Sequence, residues 1–223
     1  MKVLILDSGI LINLSMNGLL YIIEKLKETS KIKIFITKEV KYETVERPIK
    51  VPRFELGALR IQSLIDSKII EFPYPLISEN ELKIKTQELM DTANHYFQSK
   101  GKWIKIVSDA EMSCLALSSI LTKNKIQNII GIDERTTRIL AEKPQNLERI
   151  MSKKLHENIK LSDQDFSIFK EFKFIRSTEL VYVAHKKGLL EIKGPKALEA
   201  VLFATKFKGS SVSYDELDEL KKL

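Results

Sequence analysis

The stretch KVLIL at residues 2–6, followed at once by Asp7, Ser8 and Gly9, decides the fold class. Five almost wholly apolar residues are typical of a strand buried on both faces, as strands of a parallel sheet are. The acid, serine and glycine that follow predict a turn, and apolar residues at helical spacing predict a helix over about 10–29. A buried strand that leads into a helix is the first part of a βαβ unit, so the sequence predicts an α/β fold.

The same alternation continues along the chain. Further strands are predicted at 32–36, 69–73, 127–132 and 173–177, with helices between them. We therefore expect a three-layer α/β/α arrangement with a mostly parallel sheet of about five strands and right-handed crossovers. Residues 1–223 form one predicted domain. The charge-rich stretch 143–171 is predicted as a helical insertion within it; Phe166, Phe169 and, just beyond the stretch, Phe172 are at helical spacing.

Composition limits the classes of protein that fit. The 223 residues are 43% hydrophobic and include no apolar run of membrane-spanning length, so no membrane partner is expected. One cysteine, Cys114, excludes an intrachain disulfide and agrees with a reducing cytoplasm. The net charge of +7 favours a polyanionic partner. The three histidines lack zinc-site spacing, and no glycine-rich phosphate loop is present.

Two acids follow predicted strands directly. Asp7 ends the first strand and Asp133 ends the 127–132 strand. Because the carboxyl ends of parallel strands share one edge of the sheet, both acids are expected at that edge. For each acid alone, capping of the helix that follows explains the residue nearly as well. Two acids on the same edge of the sheet indicate a functional site more strongly than either acid alone.

Acids on two predicted helices can reach the same edge. In ITKEVKYETVERP (36–48), Glu39, Glu43 and Glu46 share one helical face, and spacing alone does not choose between them. In IVSDAEMSCLALS (106–118), Ser108 and Glu111 fit a capping box, which leaves Asp109 unexplained. Asp109 is therefore predicted to point inward, with Glu111 as a capping or supporting group.

The order of these motifs resembles the acid signature of the PIN-domain family of archaeal or bacterial type. It runs through LDSGILINL (6–14), Thr37-x-x-Val40-x-x-Glu43, SDAEMSCLALS (108–118) and GIDERTTRIL (131–140). The stretches IRSTELVYVAHKKGLL (175–190) and SYDELDELKK (213–222) are also similar to the tail of that family. The resemblance covers the chain except 143–171 and part of 48–104. It implies a PIN-like fold and a metal-dependent nuclease.

The resemblance also implies roles for individual residues. The four catalytic acids would be Asp7, Glu43, Asp109 and Asp133. The cation, Mg²⁺ or Mn²⁺, would be held by Asp7, Asp109 and Asp133, in line with the preference of these ions for oxygen ligands. The supporting residues would be Ser8, Glu111, Glu134 and Arg138.

The expected reaction is metal-assisted hydrolysis of RNA phosphodiester bonds, with single-stranded RNA as the partner and cytoplasm as the location. One alternative is a non-catalytic PIN-like protein that binds RNA or acts as a scaffold. A phosphotransfer enzyme of the haloacid dehalogenase type is disfavoured, because Gly9 stands where that class has its second acid. The 143–171 segment could form a homodimer contact, a lid or an extra packed layer.

Overall fold

A parallel sheet forms the centre of the computed structural model, which describes residues 1–74, 76–142, 145–162 and 166–222. The strands of the chain are β1 (Lys2–Leu6), β2 (Lys33–Phe35), β3 (Phe97–Ser99), β4 (Lys102–Trp103), β5 (Gln127–Gly131), β6 (Lys160–Leu161) and β7 (Phe174–Ile175). Four of them form the parallel sheet, in the order β2-β1-β5-β7. Helices follow most of its strands, which is the α/β class expected from the sequence and consistent with α/β/α layering.

The helices are α1 (Ser8–Met16), α2 (Tyr21–Ser30), α3 (Lys38–Lys41), α4 (Pro52–Asp66), α5 (Glu79–Asn94), α6 (Asp109–Lys123), α7 (Arg135–Glu142), α8 (Gln145–Leu155), α9 (Ser177–Lys186), α10 (Ala197–Phe207) and α11 (Tyr214–Lys222). The single helix predicted over 10–29 is two helices, bent by 115°. Gly18, with φ of 68°, lies at the break. Among the described residues, no single helix is long and apolar enough to cross a membrane; only α1 and α2 together pass by length and composition.

The predicted strand at 69–73 is reduced to one bridge. Glu71 pairs with Phe35 of β2: its N–H donates to Ile34 and its carbonyl accepts from Ile36, at 2.9 and 3.1 Å. Pro73 lacks the N–H that a continuing strand would need. The parallel sheet therefore has four named strands and this single bridge instead of about five full strands.

The central strands are buried between helices, as their apolar sequences predict. β1 pairs with β2 on one side and with β5 on the other, and both α1 and α6 pack near it. At Gly131 of β5 there is no room for a side chain. A Cβ there would lie 2.9 Å from Cδ1 of Ile10 in α1 and 3.0 Å from Cδ2 of Leu6 in β1. Glycine at this position lets α1 lie close against the sheet.

The 143–171 segment differs from the prediction. It is α-helical only over Gln145–Leu155; β6 and a 3₁₀ turn, Ser167–Phe169, follow. Residues 143, 144 and 163–165 lie outside the described part of the chain. β6 pairs with β3, which also pairs with β4, in a small antiparallel sheet. Phe166 and Phe169 pack on Tyr96, with ring centroids 4.1 and 5.9 Å away. The segment therefore packs with residues 96–103 as a mixed layer.

Candidate active site

Asp7 is buried at the carboxyl end of β1, where α1 begins. It is the N-cap of α1: its Oδ2 accepts a hydrogen bond of 3.2 Å from the N–H of Gly9. Its other oxygen, Oδ1, is buried and has no hydrogen-bond partner. The pKa of Asp7 is raised to about 7, mainly by burial and to a smaller extent by the charges of Glu43 and Asp133. The hydrogen bonds from the backbone of Gly9 and Ser8 act in the opposite direction.

Asp133 lies two residues beyond β5 and is also buried. Its Oδ1 accepts from the backbone N–H of Ser177 at 2.9 Å, and its Oδ2 accepts from Asn13 Nδ2 at 2.9 Å. Asp133 therefore caps α9, not the helix that follows it in sequence. The first turn of α7 is instead capped by Glu134, whose Oε2 accepts from the N–H of Thr137 at 2.9 Å.

Asp7 and Asp133 lie next to each other, as their positions after neighbouring strands predict. The N–H of Asp7 donates to the carbonyl of Gly131 at 2.9 Å, which extends the pairing of β1 and β5. Both acids flank Gly9: a Cβ at Gly9 would lie 3.5 Å from Asp7 Oδ2 and 3.7 Å from Asp133 Cβ. The two side chains therefore share one small volume at the sheet edge.

Glu43 joins this pair through Ser8. The hydroxyl of Ser8 donates to Glu43 Oε2 at 2.6 Å, which links α1 to the helical turn after α3. That turn, Tyr42–Glu46, is π-helical and closes with a 2.9 Å hydrogen bond from the N–H of Arg47 to the carbonyl of Tyr42. π-Helical turns within helices often occur at functional sites. Among Glu39, Glu43 and Glu46, the structure brings Glu43 to the acids.

The structure turns Asp109 outward and confirms the capping role predicted for Glu111. The side chain of Asp109 is 69% exposed and its Oδ2 lies 3.3 Å from Lys105 Nζ, so the prediction that it points inward is wrong. Residues two apart on a helix face different sides, and the capping box at Ser108 turns Glu111 toward the core.

Glu111 is the third acid of the site and is partly buried. Its Oε2 accepts from the N–H of Ser108 at 2.9 Å and from the hydroxyl of Thr137 at 3.0 Å. Burial and the charge of Asp7 raise the pKa of Glu111 to about 8, with a smaller contribution from Glu134. These effects outweigh the two hydrogen bonds, which lower the pKa. The cluster is therefore Asp7, Glu43, Glu111 and Asp133, which we call the acid cluster.

Three residues that orient the acid cluster were not predicted: Asn13, Thr137 and Ser177. Asn13 is fully buried and its Nδ2 lies 2.9 Å from Asp133, 3.1 Å from Ser177 Oγ and 2.8 Å from the carbonyl of Thr205. An amide within the apolar run ILINL is the one sequence signal that could have indicated it, because a buried amide needs partners.

Arg138 does not face the acids. Its Nη1 lies 3.4 Å from the carbonyl of Ser211, and its Nε is 3.8 Å from Glu142. Burial and the neighbouring Arg176 lower the pKa of Arg138. Arg138 therefore supports the C-terminal segment, whose Ser211 N–H in turn lies 3.3 Å from the carbonyl of Asp133.

An open groove with a volume of about 780 Å³ leads to Glu43 from the protein surface. Its wall includes Lys38, Lys41, Tyr42 and Arg47, and Asp109 lies on it as well. Lys38 is paired with Glu79 at 2.5 Å and Lys41 with Glu46 at 3.2 Å. The groove therefore has charges of both signs.

The donor set of the acid cluster suits a hard divalent cation, because it consists of carboxylate oxygens only. The unpartnered Oδ1 of Asp7 is the atom that a cation would satisfy. Across the described ranges, however, no three His, Cys, Asp or Glu side chains are already placed to hold a metal ion. Binding therefore requires Glu43 or Glu111 to turn toward Asp7.

Comparisons with known proteins return no match to a family model, to a curated protein or to a solved structure.

Proposed function

We propose that the protein is a metal-dependent endoribonuclease with a PIN-like fold. The observation that carries the proposal is Asp7: a buried carboxyl group with one unpaired oxygen and a pKa of about 7, beside three more acids. Burying several carboxyl groups together costs free energy, and a bound cation would offset that cost by neutralising their charge. The parallel sheet and the order of the acid motifs agree with the resemblance to the PIN-domain family.

Asp7, Glu111 and Asp133 would hold the cation, Mg²⁺ or Mn²⁺. When bound, the cation polarises a phosphoryl oxygen and lowers the pKa of an attacking water. Asn13 and the N–H of Ser177 fix the carboxylate of Asp133, and Thr137 fixes that of Glu111. Such partners orient the acids and hold their charge near the metal.

Glu43 is the acid placed to take up a proton, because it is part of the acid cluster and also lines the groove. In the proposed step, a water oxygen bonds to phosphorus and its proton passes to Glu43. The bond from phosphorus to the leaving oxygen breaks, and that oxygen departs with the electron pair. Ser8 holds Glu43 in position through its hydroxyl.

The test compares acids inside and outside the cluster in cleavage of a fluorescent single-stranded RNA with Mn²⁺. Because an interaction with the transition state worth several kcal/mol is lost, Asp7→Asn and Glu111→Gln are expected to slow cleavage by about 100-fold or more. Asp109→Asn is expected to have a much smaller effect, since its side chain is exposed.

The matched control is Asp91→Asn, an exposed acid of α5 whose side chain accepts a hydrogen bond from Gln87. This variant is expected to cleave at the wild-type rate. Wild-type rates for both Asp7→Asn and Glu111→Gln would refute the proposal. A loss in Asp109→Asn alone would return the catalytic role to the residue expected from sequence.

A non-catalytic PIN-like RNA-binding protein is the second candidate. It is favoured by the hydrogen bonds that already engage both oxygens of Asp133 and one oxygen of Glu43. Isothermal titration calorimetry with Mn²⁺ separates the two proposals. Binding that Asp7→Asn abolishes supports the nuclease, whereas RNA binding with neither Mn²⁺ binding nor cleavage supports the second candidate.

A further inference from the structure

An exposed aromatic ring stands directly beside the acid cluster. Tyr42 begins the π-helical turn that holds Glu43, and its side chain is 54% exposed in the wall of the groove. A flat, accessible ring is a surface on which a nucleic acid base can stack.

Basic residues follow Tyr42 along the chain, and the first of them, Arg47, also lines the groove. The segment RPIKVPR (47–53) contains three cations, Arg47, Lys50 and Arg53, and no acid. All three are exposed, and none of them forms an ion pair with any residue the structure describes. By contrast, Lys38 and Lys41 inside the groove are paired with glutamates. The outer cations are therefore available to a ligand.

A second exposed ring lies at the far end of this segment. Phe54 is 40% exposed, and the guanidinium carbon of Arg53 lies 4.3 Å from the centre of its ring. α4, which contains Phe54, packs against the π-helical turn that begins with Tyr42. It also packs against the 3₁₀ turn at Pro48–Lys50, so the two rings belong to elements that pack together. A ring therefore lies at each end of a run of three cations, and proteins that bind single strands also combine aromatic rings with cations.

We infer that Tyr42, Arg47, Lys50, Arg53 and Phe54, which we call the outer strip, bind a segment of single-stranded RNA that enters the acid cluster. The inference rests on the proposed function and adds which residues bind the single-stranded RNA. The cations contact phosphates and the two rings stack on bases. Duplex RNA fits less well, because the faces of its bases are already stacked.

A second copy of the chain is a weaker fit to the outer strip. In a two-fold contact the same patch meets itself, so the three cations of one copy would face the three of the other. No acid within 47–53 offsets that repulsion. A polyanion is favoured by the same charges.

The test is RNA binding by fluorescence anisotropy in EDTA, so that binding is measured without cleavage. Tyr42→Leu and Phe54→Leu remove the rings but keep apolar bulk. Each is expected to weaken binding of a labelled single strand about tenfold, in line with the loss of one stacked base. Leu59→Ala, at an exposed apolar residue of the same helix α4, is the matched control and is expected to bind as the wild type.

The cations are tested by salt dependence. Each of Arg47→Gln and Arg53→Gln is expected to reduce the slope of log affinity against log salt by about 0.7, the value for one phosphate contact on a single strand. Lys83→Gln and Lys187→Gln, at exposed lysines of other elements, are the controls and should leave the slope unchanged.

Three results would overturn the inference: wild-type affinity in both ring variants, equal affinity for a duplex of the same sequence, or a dimer that Phe54→Leu dissociates without changing RNA affinity. Its failure is distinguishable from failure of the proposed function. If the outer-strip variants cleave RNA with Mn²⁺ and their KM is unchanged, the strip does not bind the substrate but the nuclease proposal stands. If RNA binding depends on the outer strip and no cleavage is seen, the nuclease proposal fails but the inference about the strip stands.

Discussion

Asp7 combines two demands that conflict for a single carboxyl group. Its Oδ2 caps α1, which stabilises the fold, whereas its Oδ1 is buried without a partner, which destabilises it. Burial and the neighbouring acids raise its pKa to about 7, so ionising Asp7 near neutral pH destabilises the folded state. A residue that weakens its own fold in this way is expected where function sets its identity.

The stability of the protein without metal is therefore expected to fall as pH rises. The folded pKa of Asp7, about 7, lies above the ordinary value of 3.8, so its contribution is fully present below pH 3.8 and is lost as pH rises through about 7. A shift of that size corresponds to on the order of 4 kcal/mol. Asp7→Asn, which keeps a capping side chain, is expected to unfold at a higher temperature than the wild type at pH 8.5 in EDTA.

The measurement is thermal unfolding followed by circular dichroism at pH 5 and pH 8.5. Glu111 changes in the same direction through its own raised pKa, so the wild type retains some pH dependence even in the Asp7→Asn variant. Added Mn²⁺ is expected to stabilise the wild type at pH 8.5 and to leave Asp7→Asn nearly unchanged. An Asp7→Asn protein less stable than the wild type at pH 8.5 would contradict this account.

At the scale of elements, the sequence predicted long features well and short ones poorly. β1 was predicted from an apolar run of five residues, and β5 from the stretch QNIIGI at 127–132. β6 has two residues, and a strand of that length carries no periodicity. β7 is reduced to two of the five residues of the strand predicted at 173–177. The pairing of β6 with β3 joins segments about sixty positions apart, a contact that local pattern cannot indicate.

The acids show the same limit. The capping box explained Glu111 locally, but its burial depends on Thr137, which comes from another helix. Capping was also the right explanation for Asp133, although the capped helix is α9 and not α7. A sequence pattern identifies which groups need partners; the tertiary fold decides which partners they find.

The close contact between α1 and β5 provides a test at this scale. Gly131→Ala is expected to destabilise the fold by about 1–3 kcal/mol, because the added Cβ would lie 2.9 Å from Ile10 Cδ1 and 3.0 Å from Leu6 Cδ2. Ile10→Val removes the nearer of these atoms. In urea unfolding, the double variant is expected to be more stable than the sum of the two single changes. Strict additivity would show that the contact is not the cause.

Across the whole molecule, the C-terminal segment is held against the candidate site by one buried arginine. Arg176 donates to Glu179 at 3.0 Å through Nε and to Glu216 of the α11 region at 2.7 Å through Nη1. Glu216 Oε2 also accepts from the N–H of Ser213 at 2.7 Å. The position of Ser211 beside Asp133 therefore depends on the ion pairs that Arg176 forms with Glu179 of α9 and Glu216 of α11.

Glu216→Gln is expected to destabilise the protein by about 1 kcal/mol at pH 7, because Arg176 loses one of its two carboxylate partners. Hydrogen bonds from Ser213 and Arg176, with the charge of Arg176, lower the pKa of Glu216 to about 2 against its desolvation. The stabilisation is thus present above the ordinary value of 4.5 and is lost as pH falls through about 2. Glu219→Gln, an exposed acid of the same helix, is the control in urea unfolding at pH 7 and pH 3. An equal loss of stability at both pH values would argue against the ion pair.

The cap that Asp133 provides for α9 has a consequence for synthesis of the chain. Asp7 and Asp133 are translated before Ser177 and Ser211, whose N–H groups bind Asp133. A nascent chain on the ribosome therefore carries an incomplete acid cluster until residue 211 has emerged. If the cluster cleaves RNA, the nascent chain is expected to be inactive until that point.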